Sequence, residues 1–150
     1  MSDIKTSFER SRNMSAIKSR DTKPEVFLRH LLFAQGYRYR ICSAALPGHP
    51  DLWMKKYNTA IFINGCFWHR HAGCKYSYTP NSRTEFWNAK FVQNTNRDAA
   101  VRDELEHRQI KCLIIWECTI KNAQKKAGDP TSLVQSIVEF LNSDKMYQEL

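Results

Sequence analysis

Apolar positions along the chain switch between two spacings, and the switch points divide it into elements. Thr22-Lys23-Pro24-Glu25 reads as a capping box with proline in the first turn, where its missing N–H leaves no bond unmade. Behind it Phe27, Leu28, Leu31, Leu32 and Gln35 follow helical spacing, and Gly36 supplies the stop. Residues Tyr37 to Ile41 alternate aromatic or apolar side chains with arginine, the pattern of a strand with one polar face. A turn over Leu46-Pro47-Gly48-His49-Pro50 leads into Asp51-Leu52-Trp53-Met54. The polar stretch Lys55 to Asn58 then separates that segment from the buried strand Thr59 to Ile63, and the two make a β-hairpin. From residue 65 to 82 the sequence is irregular and rich in aromatics. Ser82 to Glu85 offers a second capping box, opening a helical stretch that runs to Gln109 with a break expected near Asn94. Ile110 to Trp116 is another apolar strand. Asp129-Pro130 opens a last helix with the stripe Leu133, Ile137, Phe140 and Leu141. This order predicts a mixed α/β fold, a central mixed sheet flanked by helices.

Composition narrows the class. The 150 residues are 42% hydrophobic and 25% charged, which excludes a disordered tail and a disulfide-stapled miniprotein. No repeat or linker interrupts them, so residues 1–150 are expected to form one domain, with a basic arm and short helix over 1–20 and a helix-bearing tail over 119–150. No window approaches the ~20 apolar residues of a membrane span, and the N-terminus lacks a signal-like apolar run; a cytoplasmic, membrane-free protein is expected. The charge is uneven: the first 90 residues hold 15 basic and 6 acidic groups, the rest 8 and 9. Such asymmetry fits a polyanion, most often nucleic acid, although a solubility charge gives the same total.

Candidate chemistry gathers in the hairpin and the loop after it. Cys66, His71 and Cys74 are spaced C-x4-H-x2-C, and Cys118 follows the strand that begins near residue 110; thiolates and imidazole suit zinc, which would clamp the loop to the end of that strand. His69 serves the spacing as well as His71, so either can be the ligand. Cys42 and Cys112 lack such partners and read as small core residues. Asp51, after its Pro-Gly-x-Pro turn, suits Mg²⁺, or caps the turn. His69, if free of zinc, has the ordinary pKa of ~6.5 that suits a general base. Glu25 alone reads as a helix cap and Asp98 as a solvated helix residue. Phe67 and Trp68, in a loop with little core to receive them, and Trp87 beyond them are either packed rings or rings that stack on bases.

Taken together, these blocks resemble a known family. Asn13-Met14, Ser19-Arg20-Asp21-Thr22-Lys23-Pro24-Glu25, Leu46-Pro47-Gly48-x-Pro50-Asp51, Ile61-Phe62-x-x-Gly65-Cys66-Phe67-Trp68-His69-x-His71, Arg83-Thr84-Glu85-Phe86-Trp87, Asn94, Arg97-Asp98 and Trp116-Glu117-Cys118 look like the Vsr-type very-short-patch-repair DNA mismatch endonucleases. The resemblance implies a fold similar to type II restriction endonucleases with a structural zinc site. It assigns Cys66, His71, Cys74 and Cys118 to that zinc and leaves His69 free as base, and it gives the catalytic Mg²⁺ to Asp51 and the backbone carbonyl of Ile63. Glu25 and Asp98 correspond to active-site acids, Asp98 orienting His69. Phe67, Trp68 and Trp87 match aromatics that enter the DNA stack. Asn64 stands where many members have a second histidine, and an amide can hydrogen-bond a phosphate but cannot exchange a proton near neutral pH.

On this basis the expected activity is nicking of one strand of double-stranded DNA, 5′ of the mispaired thymidine of a T:G mismatch. Basic residues of the first 40 positions, Arg20 and Lys23 among them, would hold the backbone. The resemblance further implies a monomer associated with the nucleoid through DNA, with the mismatch-repair protein MutL as a partner. The alternatives are a restriction or nicking endonuclease of the same fold that cuts matched DNA, and a zinc-stabilised DNA-binding module without catalysis.

Overall fold

The structure is a computed structural model that describes residues 21–41, 43–125 and 128–150. The basic arm over 1–20, with Arg20, and Cys42 lie outside the described residues. Five strands form one sheet in the order β1 (Arg40–Ile41), β2 (Leu52–Met54), β3 (Thr59–Asn64), β4 (Lys111–Trp116), β5 (Tyr147–Glu149). β1–β2 and β2–β3 pair antiparallel, whereas β3–β4 and β4–β5 pair in parallel, so the sheet is mixed. Parallel pairs need crossovers. Helix α2 (Thr84–His107) makes the first, and α3 (Glu117–Gln124) with α4 (Pro130–Leu141) makes the second.

Strand alternation sends successive side chains to opposite faces. Leu52, Met54, Ile61, Leu113 and Ile115 point to one face, where they meet Leu28 and Leu32 of α1 (Lys23–Ala34), Ile120 of α3, and Leu133, Ile137 and Phe140 of α4. Truncating a central member such as Ile61 to alanine costs about 2–5 kcal/mol. Ala60 and Cys112 point to the other face, against Leu105 of α2, with Phe62, Ile114 and Val101 beside them. Cys112 is thus the small core residue expected, and burial pushes its thiol up to about 12.

Local signals hold where they are strong. Thr22 caps α1 by accepting the N–H of Glu25 at 3.4 Å, and Glu25 reaches back to the N–H of Asp21 at 2.8 Å. Gly36 ends that helix with φ 90°. Asp129 caps α4 by accepting from Thr131 and Ser132. Several expectations are corrected. Of the strand over 37–41 only Arg40–Ile41 pairs. Helix α2 is continuous through Asn94 for 24 residues, and its N-cap is Arg83, in a left-handed conformation with no side-chain capping bond of its own, one residue past the expected Ser82. The sequence reading also missed α3 and β5: Cys118 lies in the first turn of a helix directly after β4, and β4 is not the last strand.

Candidate active site and metal centre

Asp51 owes its place to a turn that the sequence builds tightly. His49 N–H donates to Leu46 O at 3.2 Å, and Gly48 takes φ 74°. A Cβ on Gly48 would lie 2.6 Å from Val101 Cγ1, so glycine lets the turn approach α2. The chain then enters β2 with Asp51 beside β3, where its Oδ2 accepts the N–H of Ile63 at 2.7 Å. Burial pushes the Asp51 carboxyl up to about 6; the neighbouring Glu25 adds to the rise, while the Ile63 N–H, His69 and Arg29 oppose it.

Asp51, Glu25, Ile63, Asn64, His69 and Asp98 line one cleft of about 780 Å³ between the sheet and α2. Glu25 and Asn64 are both buried there. His69 Nδ1 lies 2.6 Å from Asp98 Oδ2, with both side chains partly open to solvent. The carboxylate accepts from Nδ1–H and leaves Nε2 as the proton acceptor. The preceding peptide is held as well, because Asn94 Nδ2 donates to Trp68 O at 3.2 Å and Asn94 Oδ1 accepts from Arg97 at 3.1 Å.

A second constellation lies behind the first. Tight turns fold the loop back, with His71 N–H donating to Cys66 O and Cys74 N–H to His71 O. Donor atoms of Cys66, His71, Cys74 and Cys118 all lie within 4.8 Å of one another. His71 Nδ1 is 3.6 Å from Cys66 Sγ and 3.4 Å from Cys118 Sγ. A tetrahedral zinc with bonds of about 2.0–2.3 Å sets ligand separations of roughly 3.5–3.8 Å, so these donors fit that ion. Burial raises the Cys66 thiol to about 12, and the N–H of Tyr76 lowers Cys74; a cation among them would favour the thiolates. His71, not His69, faces the cysteines, which closes the alternative that spacing left open. Its ring stacks on Trp116 at 4.2 Å and 5°, and Trp116 Nε1 donates to Glu149 Oε1 at 3.0 Å.

Phe67 is the hub of a half-buried aromatic cluster. Trp68, Trp87, Tyr78 and Phe91 lie 5.1, 5.4, 5.2 and 5.2 Å from its ring centre. The expected stacking residues therefore pack on each other as an aromatic tip, in which Trp68 directly precedes the cleft residue His69. Lys23, the first residue of α1, is exposed and does not line the cleft. Sequence reasoning missed the roles of Arg70, Asn94, Trp116 and Glu149. Trp116 had a signal, its place next to Glu117-Cys118, but α2 has no apolar stripe that would have marked Asn94 as inward-facing.

The profile of a family described as DNA mismatch endonuclease Vsr matches residues 2–75. The type II nicking enzyme V.NmeAIP of Neisseria meningitidis serogroup A is 44% identical over 81% of this chain and 86% of its own. The DNA mismatch endonuclease Vsr of Escherichia coli K12 is 41% identical over 94% and 88%. The type II nicking enzyme V.NaeI of Lentzea aerocolonigenes is 36% identical over 72% and 67%. Identity at this level over most of the chain, in a molecule with a mixed α/β core and an acid–imidazole cleft, makes the chain a DNA endonuclease of the Vsr family.

Proposed function

We propose that this protein nicks one strand of duplex DNA 5′ of the mispaired thymidine in a T:G mismatch, by hydrolysis dependent on Mg²⁺. The observation that carries the reading is the meeting, in one cleft beside an aromatic tip, of a buried carboxyl raised to about 6 and an imidazole paired with a carboxylate. Asp51 and the carbonyl of Ile63 would hold the ion. Among the described residues Asp51 Oδ1 has no hydrogen-bond partner, and a strand residue whose N–H faces one neighbour turns its C=O the same way, here past the end of β2. Bound there, Mg²⁺ supplies charge stabilisation to the scissile phosphate.

The chain's own groups do the rest. His69 Nε2 takes a proton from water as the water oxygen bonds to phosphorus and the phosphorus–oxygen bond to a sugar of the DNA strand breaks, that sugar oxygen leaving with the electron pair and taking a proton from solvent, and Asp98 keeps the imidazole oriented and stabilises its charged form. The Asn64 amide donates to the phosphate, and Glu25 adds negative charge that favours a cation in the cleft. Phe67, Trp68 and Trp87 enter the stack at the lesion, where mispairing lowers the energy of separating bases. Arg20 and Lys23 hold the backbone. A structural zinc at Cys66, His71, Cys74 and Cys118 would fix the loop that carries both the tip and His69. The protein acts as a monomer and in concert with MutL.

A second reading comes from relatives named as type II nicking enzymes: cleavage at a sequence in matched DNA. Matched and T:G duplexes incubated with Mg²⁺, beside an Asp51→Ala control, separate the two. The proposal expects a nick in the T:G duplex alone and none with the variant. Equal cutting of both duplexes supports the second reading, and no cutting of either supports a binding module.

A further inference from the structure

Three consecutive residues, Phe67, Trp68 and His69, are each tied down separately. Arg70 Nη1 donates to Phe67 O at 3.4 Å, Asn94 Nδ2 to Trp68 O at 3.2 Å, and His69 Nδ1 meets Asp98 at 2.6 Å. Asn94 and Asp98 are four apart on α2 and so share one face of it. Two ties therefore run to a single helix.

The third tie spreads wider. Arg70 Nη1 also donates to Tyr78 O at 2.9 Å, and Nη2 donates to Ser77 O at 2.9 Å and Thr79 Oγ1 at 3.1 Å. Its guanidinium carbon lies 3.9 Å from the ring centre of Phe91, on the same helix one turn before Asn94. The residue holds a left-handed φ of 56°, which an arginine keeps only where its surroundings fix it. Arg70 thus joins the loop at 77–79, the backbone of the aromatic tip and α2. A planar fork with several fixed donors suits this work, and a lysine ammonium would reproduce only part of it.

We propose that Arg70 is a positioning residue that makes the aromatic tip and His69 shift as one body, so that a mismatch is sensed in the rate of cleavage more than in the affinity for DNA. The inference rests on the mismatch reading above. On a lesion the tip enters the stack and carries His69 into register with the phosphate; on matched DNA the tip stays out and the base is displaced with it. A misplacement of about 1 Å is enough to cost roughly 100-fold in rate.

Single-turnover nicking rates, magnesium-free binding to T:G and matched duplexes, and zinc content are measured for the parent, Arg70→Ala and Arg70→Lys. Arg70→Ala is expected to keep its zinc and to bind the T:G duplex within about threefold of the parent, yet to nick it roughly 100-fold more slowly, with Arg70→Lys between them. Arg70→Ala with the parent's rate and preference overturns the inference, as does equal loss of binding and rate. If the alanine variant fails to hold zinc, Arg70→Lys decides: unchanged rate and preference overturn the inference, and slowed nicking with intact binding supports it. A parent that nicks matched and mismatched duplexes alike removes the mismatch reading itself and this inference with it, whereas a discriminating parent beside variants that keep its rate and preference removes the inference alone.

Discussion

Asp51 is under two opposed demands. Its charge is what would hold a cation, yet burial holds its carboxyl near 6, above the ordinary 3.8, so the fold favours the neutral acid. The stabilisation that comes from the neutral form is complete below about pH 4 and is lost as pH rises through about 6. Above that, the ionised group weighs on the metal-free protein. Asp51→Asn keeps an acceptor for the Ile63 N–H and removes the charge. It is expected to abolish nicking and, in magnesium-free buffer at pH 8, to gain about 1–3 kcal/mol relative to the parent, with the gain shrinking toward pH 4. Unfolding curves of both proteins at the two pH values check this; equal stability at pH 8 would contradict it. The same titration predicts that the Mg²⁺ concentration needed for half-maximal nicking rises as pH drops through about 6, because proton and cation compete for the carboxylate; a Mg²⁺ requirement unchanged between pH 5 and 8 would contradict it.

Among the elements, the turn before β2 and the junction of β4 with α3 fix most of the site. Gly48→Ala meets both a positive φ and Val101 at 2.6 Å, so it should cost about 1–3 kcal/mol in urea unfolding and slow nicking by pushing α2, which carries Asp98, off the sheet. Trp116 stacks on His71 and is itself held by Glu149 of β5, which ties the C-terminal strand to the metal centre. Trp116→Ala is expected to release zinc about 10-fold faster to a chelator, read by absorbance of the chelator complex, with unchanged release counting against this support. These elements also mark where sequence reading reached its limit. Helix α1, the hairpin and α4 carry their own caps, turns and apolar stripes. Helix α2 buries only Phe91, Asn94 and Leu105 among its 24 residues, so it has no apolar period, and its continuity through Asn94 could not be read. Strand β5 is three residues long and pairs only across a long connection. Asp51, Cys66 and Cys74 were legible because turn and spacing are local, whereas spacing left His69 and His71 open and Cys118 lies far along the chain. The hold of Asn94 on Trp68 was not, since its partner is 26 residues away and that pairing exists only once α2 lies over the loop.

Across the whole molecule, the uneven charge now has a physical setting. The basic first 90 residues contain the α1 cap, the hairpin behind Asp51 and the aromatic tip, and the near-neutral remainder supplies Asp98 and Cys118, so neither half is a site alone. The sheet brings them together: β3 carries Asn64 and leads to the loop, β4 leads to Cys118, and α2 between them lays Asn94 and Asp98 over His69. A loop clamped from behind and tied from above would keep its base and its tip in fixed relation as DNA binds. The most direct test of this account maps the nick on both end-labelled strands of a T:G duplex by denaturing electrophoresis, for the parent and for His69→Ala. The account predicts a single cut 5′ of the mispaired thymidine on its own strand, lost in His69→Ala although the variant still binds the duplex; cuts on both strands, or a His69→Ala protein that nicks like the parent, would contradict it.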